Sequence, residues 1–183
     1  MTLDPAKLAA NPPRRTRIVV PCYNEAARLD LAAFRAFAAR EPSVGFVLVN
    51  DGSRDATAAL LRELEASDRD AFSVVDLPRN LGKAEAVRAG LAAGFGSGAE
   101  FVGYWDADLA TPLEEIPRFV DCYARTGAEL VIGARDFSRM PFVRRISNHF
   151  ARLSFSAAVG RRIEDTLAPL AAAVVLLRRL DLL

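Results

Sequence analysis

The sequence predicts an α/β fold built around a mainly parallel central sheet. Short apolar runs rich in Val, Ile and Phe alternate with helical windows along the chain, and each run leads directly into a cluster of polar residues. Nearly continuous apolar runs are typical of strands that are covered on both faces. Because a helix separates each run from the next, we expect the strands to be joined by βαβ crossovers.

Five runs are predicted as strands, and four windows between them as helices. The strands are 17–21, 46–51, 72–77, 101–106 and 130–135, and the helices lie near 25–40, 55–67, 83–95 and 112–126. The fourth helix has the clearest start signal, because Thr111, Pro112 and Glu114 match the pattern of a capping box. Ser53 or Asp55 is expected to cap the second helix.

Length and composition indicate one globular domain. The chain has 183 residues, of which 51% are hydrophobic and 26% charged, and this suits a single domain with a substantial core. The charges nearly cancel at +1, which argues against a protein that binds nucleic acid through bulk charge. The two cysteines, Cys22 and Cys122, exclude a secreted disulfide framework and are expected to be buried thiols in a reducing compartment.

The two ends of the chain differ from its middle. We predict a flexible tail over 1–16 without a signal peptide, one domain over 17–166, and an apolar tail over 167–183. A further helix is predicted over 141–159. Residues 136–183 hold eight arginines and four acidic residues, a net charge of +4, which suits either contact with phosphate or an anionic surface, or a solvated helix face.

The apolar tail has two interpretations. Its seven Leu, four Ala and two Val are interrupted by Pro169, and the segment is too short to span a bilayer. We expect it either to pack as a terminal helix against the domain, or to lie on a membrane or partner surface with Arg178 and Arg179 at the interface.

Polar residues collect where each predicted strand ends. The clusters are P-C-Y-N-E (21–25), N-D-G-S (50–53), P-R-N-L-G-K (78–83), D-A-D (106–108) and G-A-R-D (133–136). The carboxyl ends of parallel strands lie along one edge of a sheet, where open α/β sheets bind their ligands. A polar turn after one strand is ordinary, but five together predict a binding site.

The D-A-D cluster points to a divalent cation. In an extended segment, Asp106 and Asp108 would present their carboxylates on the same side. Such an oxygen pair suits Mg²⁺ or Mn²⁺, whose coordination is usually completed by substrate phosphates and water.

The other clusters suit a nucleoside diphosphate. Tyr23 offers a flat face to a base, and Asp51 can accept hydrogen bonds from a base or from ribose hydroxyls. Arg79 and Lys83, beside Gly82 at a helix start, can meet a phosphate or the edge of a base. Together with the D-A-D carboxylates, these residues predict a nucleoside diphosphate held on a metal ion.

Rival motifs are absent or misplaced. The sequence has no G-x-x-x-x-G-K-[ST], so a P-loop is excluded. The glycines of 94–98 follow a predicted helix rather than a strand, so they do not form a dinucleotide fingerprint. His149 is the single histidine, and a structural role is more plausible for it than a general base, which disfavours an ordinary hydrolase triad.

Four motifs resemble those of glycosyltransferase family 2. They are P-C-Y-N-E, N-D-G-S, R-N-L-G-K-A-E-A-V-R-A-G and W-D-A-D-L-A-T-P, and their order and spacing also match over roughly 17–166. The resemblance implies the GT-A (Rossmann-like) fold, with three layers around a mainly parallel sheet. The motifs are most similar to those of dolichyl-phosphate or polyprenyl-phosphate glucosyltransferases and mannosyltransferases, and D-A-D-L-A-T-P-L-E-E-I looks more like the glucosyl branch.

The resemblance implies an activity and a set of site residues. The activity is transfer of a hexose from a nucleotide-diphosphate sugar, with UDP-glucose favoured and GDP-mannose next, to a polyprenyl or dolichyl phosphate with inversion, as in cell-envelope glycan biosynthesis. Mg²⁺ or Mn²⁺ would be held by the D-x-D carboxylates, Asp106 and Asp108. The implied nucleotide-binding residues are Pro21, Tyr23, Asn24, Glu25, Asp51, Arg79, Gly82, Lys83 and Asp106.

Three residues are implied in catalysis. Asp108 would act through the metal, while Arg135, together with the Arg144–Arg145 pair, would face the phosphates of donor and acceptor. Asp165 would orient the acceptor, or serve as general base if the acceptor were a sugar hydroxyl. A helix cap in a terminal loop is an equally open reading of Asp165.

The end of the chain departs from the family pattern. Members usually continue with a segment like D-T-Q-C-G-x-K-x-F, whereas here only Asp165 and Thr166 match, so we expect part of the acceptor side to be missing. Two alternatives therefore stay open: a catalytically inactive nucleotide-sugar-binding module that acts through a partner, and a transferase to a sugar hydroxyl. A nucleotidyltransferase is less favoured, because its Gly-rich first loop is absent.

The expected partners follow from this interpretation. They are a nucleotide-sugar donor, with a UDP-sugar favoured, and a lipid-phosphate acceptor, with either peripheral membrane contact or a membrane partner protein and no nucleic acid. The expected location is the cytoplasm, either free or peripheral on the cytoplasmic face of the membrane.

Overall fold

A computed structural model of the chain describes residues 16–126, 130–132 and 175–178. The elements are β1 (Thr16–Cys22), α1 (Leu31–Arg40), β2 (Val44–Asn50), α2 (Thr57–Ser67), β3 (Phe72–Asp76), α3 (Lys83–Gly96), β4 (Phe101–Tyr104), a short 3₁₀ helix (Leu113–Glu115), α4 (Ile116–Thr126), β5 (Leu130–Ile132) and β6 (Val175–Arg178). The predicted helix over 141–159 lies outside the described residues.

The strands form one mixed sheet in the order β3-β2-β1-β4-β6-β5. The first four strands along the chain pair in parallel, and β6 runs antiparallel to both of its neighbours, β4 and β5. The predicted α/β fold with a mainly parallel sheet is therefore confirmed.

Strand β6 corrects the helix expected in the apolar tail at four of its residues. They form a strand in which Val175 lies opposite Tyr104 of β4 and Ile132 of β5, and the other residues of 167–183 lie outside the described residues. The physical reason is that β4 would otherwise be an edge strand. Its backbone N–H and C=O groups on the side away from β1 need partners, and an apolar run supplies them within the sheet. Among the described residues, the sheet thus includes strands on both sides of position 166, and strand β1 includes Thr16.

Helices cover both faces of the sheet, which gives three layers. On one face, Phe46 of β2 is fully buried among Phe34 and Phe37 of α1 and Phe72 of β3, with ring centroids 5.1, 5.9 and 5.6 Å away. Helices α2 and α4 pack on this face too. The other face packs against α3, whose Ala86 is buried in one cluster with Val19 of β1 and Val102 of β4.

Close packing brings α3 against the sheet. An added Cβ at Gly90 would lie 2.2 Å from Cγ1 of Val19, and one at Gly94 would lie 2.7 Å from Cγ1 of Val102. The missing side chains let the helix axis approach the strands. This approach fixes where the first residue of α3, Lys83, meets the carboxyl edge of the sheet.

The predicted helix caps are wrong. Helix α4 has no capping box, because Pro112 stands at the cap position of the 3₁₀ helix without a side-chain cap bond. Glu114 instead accepts a hydrogen bond from Arg40 of α1 at 2.7 Å, and this ion pair lowers the pKa of the Glu114 carboxyl. Arg40 thus binds the Glu114 carboxylate that the predicted capping box would have used.

Helices α1 and α2 also begin differently from the prediction. Helix α1 starts at Leu31, six residues beyond the predicted start, and the cap residue Asp30 accepts a hydrogen bond from the Ala33 N–H. In α2 the cap position belongs to Ala56, although Asp55 accepts from the Thr57 N–H at 3.0 Å.

Candidate functional site

A cavity of about 400 Å³ opens at the carboxyl edge of the parallel strands. Four of the five predicted polar clusters contribute to its wall, while the fifth, 133–136, lies outside the described residues. The lining residues are Pro21, Cys22, Tyr23, Glu25, Asp51, Asn80, Gly82, Lys83, Ala86, Asp106, Ala107 and Asp108.

Asp51 lines the cavity and connects its own loop to the end of β1 and to the turn before α3. Its carboxylate accepts two backbone hydrogen bonds, from the N–H of Leu81 at 2.7 Å and from the N–H of Gly82 at 3.0 Å. Its own N–H donates to the carbonyl of Cys22 at 2.9 Å. The side chain is buried, and the residue is only 3% exposed.

Gly52 supports the same junction through its shape. Its φ is +62°, and an added Cβ would lie 2.3 Å from the carbonyl carbon of Arg79. Only glycine combines this backbone conformation with such a close approach. The loop after β2 therefore packs closely against the turn before α3. Sequence reasoning missed this contact, although the Asp-Gly dipeptide marks a tight turn.

Lys83 carries the cationic group of the cavity. It begins α3 directly after Gly82, which has φ +92°. The ammonium group pairs with the carboxylate of Asp106 and lies 5.7 Å from the ring centre of Tyr104. Since the Asp106 side chain is 22% exposed, the pair faces the cavity and remains open to a ligand.

The D-A-D segment is a turn rather than an extension of β4. The strand ends at Tyr104, and Ala107 and Asp108 lie in a turn that Leu109 continues with φ +50°. The extended geometry expected for Asp106 and Asp108 is therefore wrong. Both carboxylates nevertheless line the same cavity.

The described residues do not by themselves form a complete metal site. Within the described part of the chain, no group of three or more His, Cys, Asp or Glu could hold a metal ion. The exposed Asp108 uses one oxygen to accept the N–H of Ala110 at 3.1 Å. Two carboxylates on one cavity fit a hard cation that keeps waters and binds phosphate oxygens.

Glu25 has an unused carboxylate oxygen. Its Oε1 accepts from Arg28 at 2.7 Å, whereas Oε2 is buried without a hydrogen-bond partner. A buried, unpaired acceptor is costly, so Oε2 is well suited to accept a hydrogen bond from a ligand. Burial, reinforced by the Glu25 charge, raises the pKa of the neighbouring Cys22 thiol to about 12. Cys22 is therefore a neutral packing residue at pH 7.

Two large apolar side chains are exposed near the cavity. Tyr23 is 39% exposed and lines it, as expected for a stacking surface, and Leu81 is 42% exposed within the turn before α3. Sequence reasoning missed Leu81, and its only signal was a leucine inside a polar turn. Asn80, Cys22, Ala86 and Ala107 also line the cavity but were not predicted as site residues.

Two predicted nucleotide-binding residues do not line the cavity. Asn24 adopts φ +53° and ties its loop to the next one, because its Oδ1 accepts from the Arg54 N–H and its own N–H donates to Ser53. The backbone of Arg79 packs against Gly52, and the residue is exposed.

Several other predicted residues cannot be placed. Arg135, Arg144, Arg145, His149 and Asp165 lie outside the described residues.

The family model of glycosyl transferase family 2 matches residues 17–179. The chain belongs to this family. It is 36% identical over 132 residues to the polyprenol monophosphomannose synthase of Mycolicibacterium smegmatis, covering 72% of this chain and 48% of that protein. It is 38% identical over 152 residues to the undecaprenyl-phosphate 4-deoxy-4-formamido-L-arabinose transferase of Pseudomonas paraeruginosa, covering 81% and 43%. The chain thus spans about half the length of these curated relatives.

Solved structures of other glycosyltransferases share the fold. Glucosyl-3-phosphoglycerate synthase from Mycobacterium tuberculosis, in complex with UDP, matches with a TM-score of 0.63 at 22% identity, covering 94% of this chain and 58% of that one. The same enzyme in complex with Mn²⁺, UDP and phosphoglyceric acid matches with a TM-score of 0.60 at 21% identity, covering 94% and 57%. The predicted GT-A fold is confirmed.

None of the helices in the part of the chain that the structure describes is both long and apolar enough to cross a bilayer.

Proposed function

We propose that this family 2 chain binds a nucleoside-diphosphate sugar in the cavity and transfers its hexose, with inversion at C1, to a polyprenyl phosphate. The observation that carries the proposal is the cavity itself, in which an exposed aromatic ring, an ammonium group and the two D-A-D carboxylates share one wall. The named activities of the two relatives support a polyprenyl-phosphate acceptor.

The charge of the cavity supports the requirement for a cation. Its described lining contains four carboxylates and one ammonium group, a formal net charge of −3. A diphosphate would be repelled from such a wall unless a divalent cation came with it. Mg²⁺ or Mn²⁺, held by Asp106 and Asp108, would neutralise the departing diphosphate when bound. The Mn²⁺ and UDP complex of the structural neighbour is in line with this proposal.

Different side chains would contact the base, the ribose and the phosphates of the donor. Pro21 and Tyr23 would contact the base, Oε2 of Glu25 would accept a hydrogen bond from the base or ribose, and Lys83 would leave Asp106 to meet a phosphate oxygen. UDP-glucose is the first candidate donor, because D-A-D-L-A-T-P resembles the glucosyl branch. GDP-mannose is the second, because one relative is a phosphomannose synthase.

A phosphate acceptor does not require a strong general base. The second pKa of a phosphate monoester is near ~6, so it is mostly dianionic and nucleophilic at neutral pH. We propose that Arg135, with Arg144 and Arg145, attracts the two phosphates, and that Asp165 orients the acceptor. The chain would then work at the cytoplasmic face of a membrane, where lipid phosphates are accessible, by peripheral contact or through a membrane partner.

One experiment separates this function from its alternatives. UDP and GDP binding are measured by calorimetry with and without Mn²⁺, and turnover of UDP-glucose and GDP-mannose is followed with a short polyprenyl phosphate and with a sugar acceptor. Cation-dependent binding with turnover onto the lipid phosphate, and an inverted anomeric product, is the expected result. Turnover only onto the sugar would favour a hydroxyl acceptor, and the absence of nucleotide binding would refute the proposal.

A second candidate is an inactive nucleotide-sugar-binding module. The observation that favours it is the sequence after Asp165 and Thr166, which departs from the family segment while the donor motifs remain intact. In the same experiment, cation-dependent UDP or GDP binding without turnover onto either acceptor would support this candidate.

A further inference from the structure

The loop that carries Glu25 is held by two side chains at the start of α2. The N–H of Glu25 donates to Oγ1 of Thr57 at 2.8 Å, and the N–H of Ala26 donates to Oδ2 of Asp55 at 3.2 Å. Thr57 is fully buried, so its hydroxyl is shielded from water, and a buried hydroxyl needs partners within the protein. The backbone of Glu25 is thus tied to α2 at a point that solvent does not reach.

Asp55 sets the orientation of the Thr57 hydroxyl. Oγ1 of Thr57 lies 2.5 Å from Oδ1 of Asp55, and the Thr57 N–H donates to the same oxygen at 3.0 Å. An ionised carboxylate can only accept hydrogen bonds, so the hydroxyl proton points to Asp55. A lone pair of Oγ1 is then left for the N–H of Glu25, and hydrogen bonds run in one direction from Glu25 through Thr57 to Asp55.

Three of the four polar groups of Glu25 are bound within the protein. Besides the N–H bound by Thr57, its carbonyl accepts the N–H groups of Arg28 at 2.8 Å and Leu29 at 2.9 Å. Its Oε1 accepts from the Arg28 side chain at 2.7 Å. The fourth group, Oε2, is buried without a partner, and Glu25 lines the cavity. The direction of Oε2 therefore depends on a backbone that Thr57 helps to fix.

We propose that Thr57, oriented by Asp55, is a positioning residue that holds Glu25 so that its Oε2 meets the nucleoside part of the donor. This inference rests on the proposed function, in which Oε2 accepts a hydrogen bond from the base or ribose. Thr57 is not among the residues that line the cavity, so it acts on the donor through Glu25.

Thr57→Val tests the inference, because it removes the hydroxyl and keeps the shape of the side chain. We expect it to weaken the binding of UDP with Mn²⁺ about five- to thirtyfold, since Glu25 must then be ordered during binding. Uridine binding, followed by ligand-observed NMR, should weaken by the same factor, because uridine keeps the base and ribose. Unchanged affinities would overturn the inference, and so would a loss confined to UDP. GDP and guanosine replace this pair if GDP binds more tightly.

Two variants separate positioning from a loss of stability. Thr57→Ser keeps the hydroxyl but removes a buried methyl group, so it should unfold at a lower urea concentration and still bind both ligands as the wild type does. Ser67→Ala, the matched control in α2, removes a hydroxyl that donates to the Leu64 carbonyl at 2.7 Å, and it should leave both affinities unchanged. A Thr57→Ser protein that binds as weakly as Thr57→Val would overturn the inference, because the hydroxyl would then not control the affinity.

A double-mutant cycle with Glu25 identifies the route of the effect. Glu25→Ala removes the carboxylate that meets the nucleoside, so Thr57→Val should weaken UDP binding less than about threefold further in that background. Multiplied losses in the double variant would contradict the inference, because Thr57 would then act through another part of the cavity.

Amide exchange separates this inference from the proposed function. Without any nucleotide, the Glu25 amide should exchange faster in Thr57→Val than in the wild type or in Ser67→Ala. Unchanged exchange would overturn the inference, whereas failure of the wild type to bind UDP or GDP would overturn the proposed function. If Thr57→Val does not fold, Asp55→Ala at an exposed position releases the same hydroxyl, and it must show equal losses for UDP and uridine.

Discussion

Replacing Gly90 with alanine tests how α3 reaches the sheet. The added Cβ would lie 2.2 Å from Cγ1 of Val19 and 2.9 Å from Cγ2 of Val49. Both neighbours are β-branched and buried in central strands, so they have few rotamers with which to yield. To restore an ordinary contact of 3.4 Å, the helix must move by about 1 Å.

The expected cost combines two opposing effects. Overpacking a tight core costs about 1–3 kcal/mol, whereas alanine in a helix is favoured over glycine by up to about 1 kcal/mol. We therefore expect Gly90→Ala to lower the free energy of unfolding by about 1–2 kcal/mol. Because the shift also moves the start of α3, the affinity for UDP with Mn²⁺ should fall as well.

Gly96→Ala is the matched control in the same helix. An added Cβ there meets nothing within 4 Å, so only the helix preference remains and stability should stay equal or rise by up to about 1 kcal/mol. Urea unfolding of both variants, compared at equal m-values, measures the difference. A Gly90→Ala protein as stable as Gly96→Ala would refute the close packing of α3 on β1 and β2.

Three further outcomes follow from the described contacts. Asp108→Ala should abolish Mn²⁺-dependent UDP binding and leave thermal unfolding unchanged, whereas the exposed Asp121→Ala should alter neither; unchanged Mn²⁺ dependence would remove Asp108 from the cation site. Phe46→Ala should cost about 3–5 kcal/mol in urea unfolding, because three rings surround this buried side chain, and a loss below ~1 kcal/mol would contradict the packing. Hydrogen bonds, chiefly from the Thr57 hydroxyl, lower the pKa of Asp55 from 3.8, so its contribution to stability is present above about pH 4 and is lost as the pH falls through the lowered pKa. Asp55→Asn should flatten acid unfolding in that range, and an unchanged pH profile would refute the assignment.

The position of the site could be predicted from the sequence, but the roles of its individual residues could not. Polar clusters after successive strands indicated one edge of a parallel sheet, and four of those clusters line one cavity. The pattern cannot tell a side chain that faces a ligand from one that holds a loop. Asn24 belongs to the same polar cluster as Glu25, yet its side-chain oxygen accepts a backbone N–H of a neighbouring loop, whereas Glu25 lines the cavity with one oxygen that has no partner.

Local signals determined the parallel core of this protein, and tertiary contacts decided its exceptions. Alternating apolar runs and helical windows identify the strands from 16 to 104. A strand buried on both faces needs continuous apolar residues, so each strand can be recognised from its own sequence. The Glu114 side chain and strand β6 depend on partners distant in sequence. Glu114 pairs with Arg40 across 74 positions, and Val175–Arg178 forms a strand beside β4, whose backbone groups on that side would otherwise be unpaired. An apolar run of four residues has no conformation of its own until a neighbouring strand offers its hydrogen bonds.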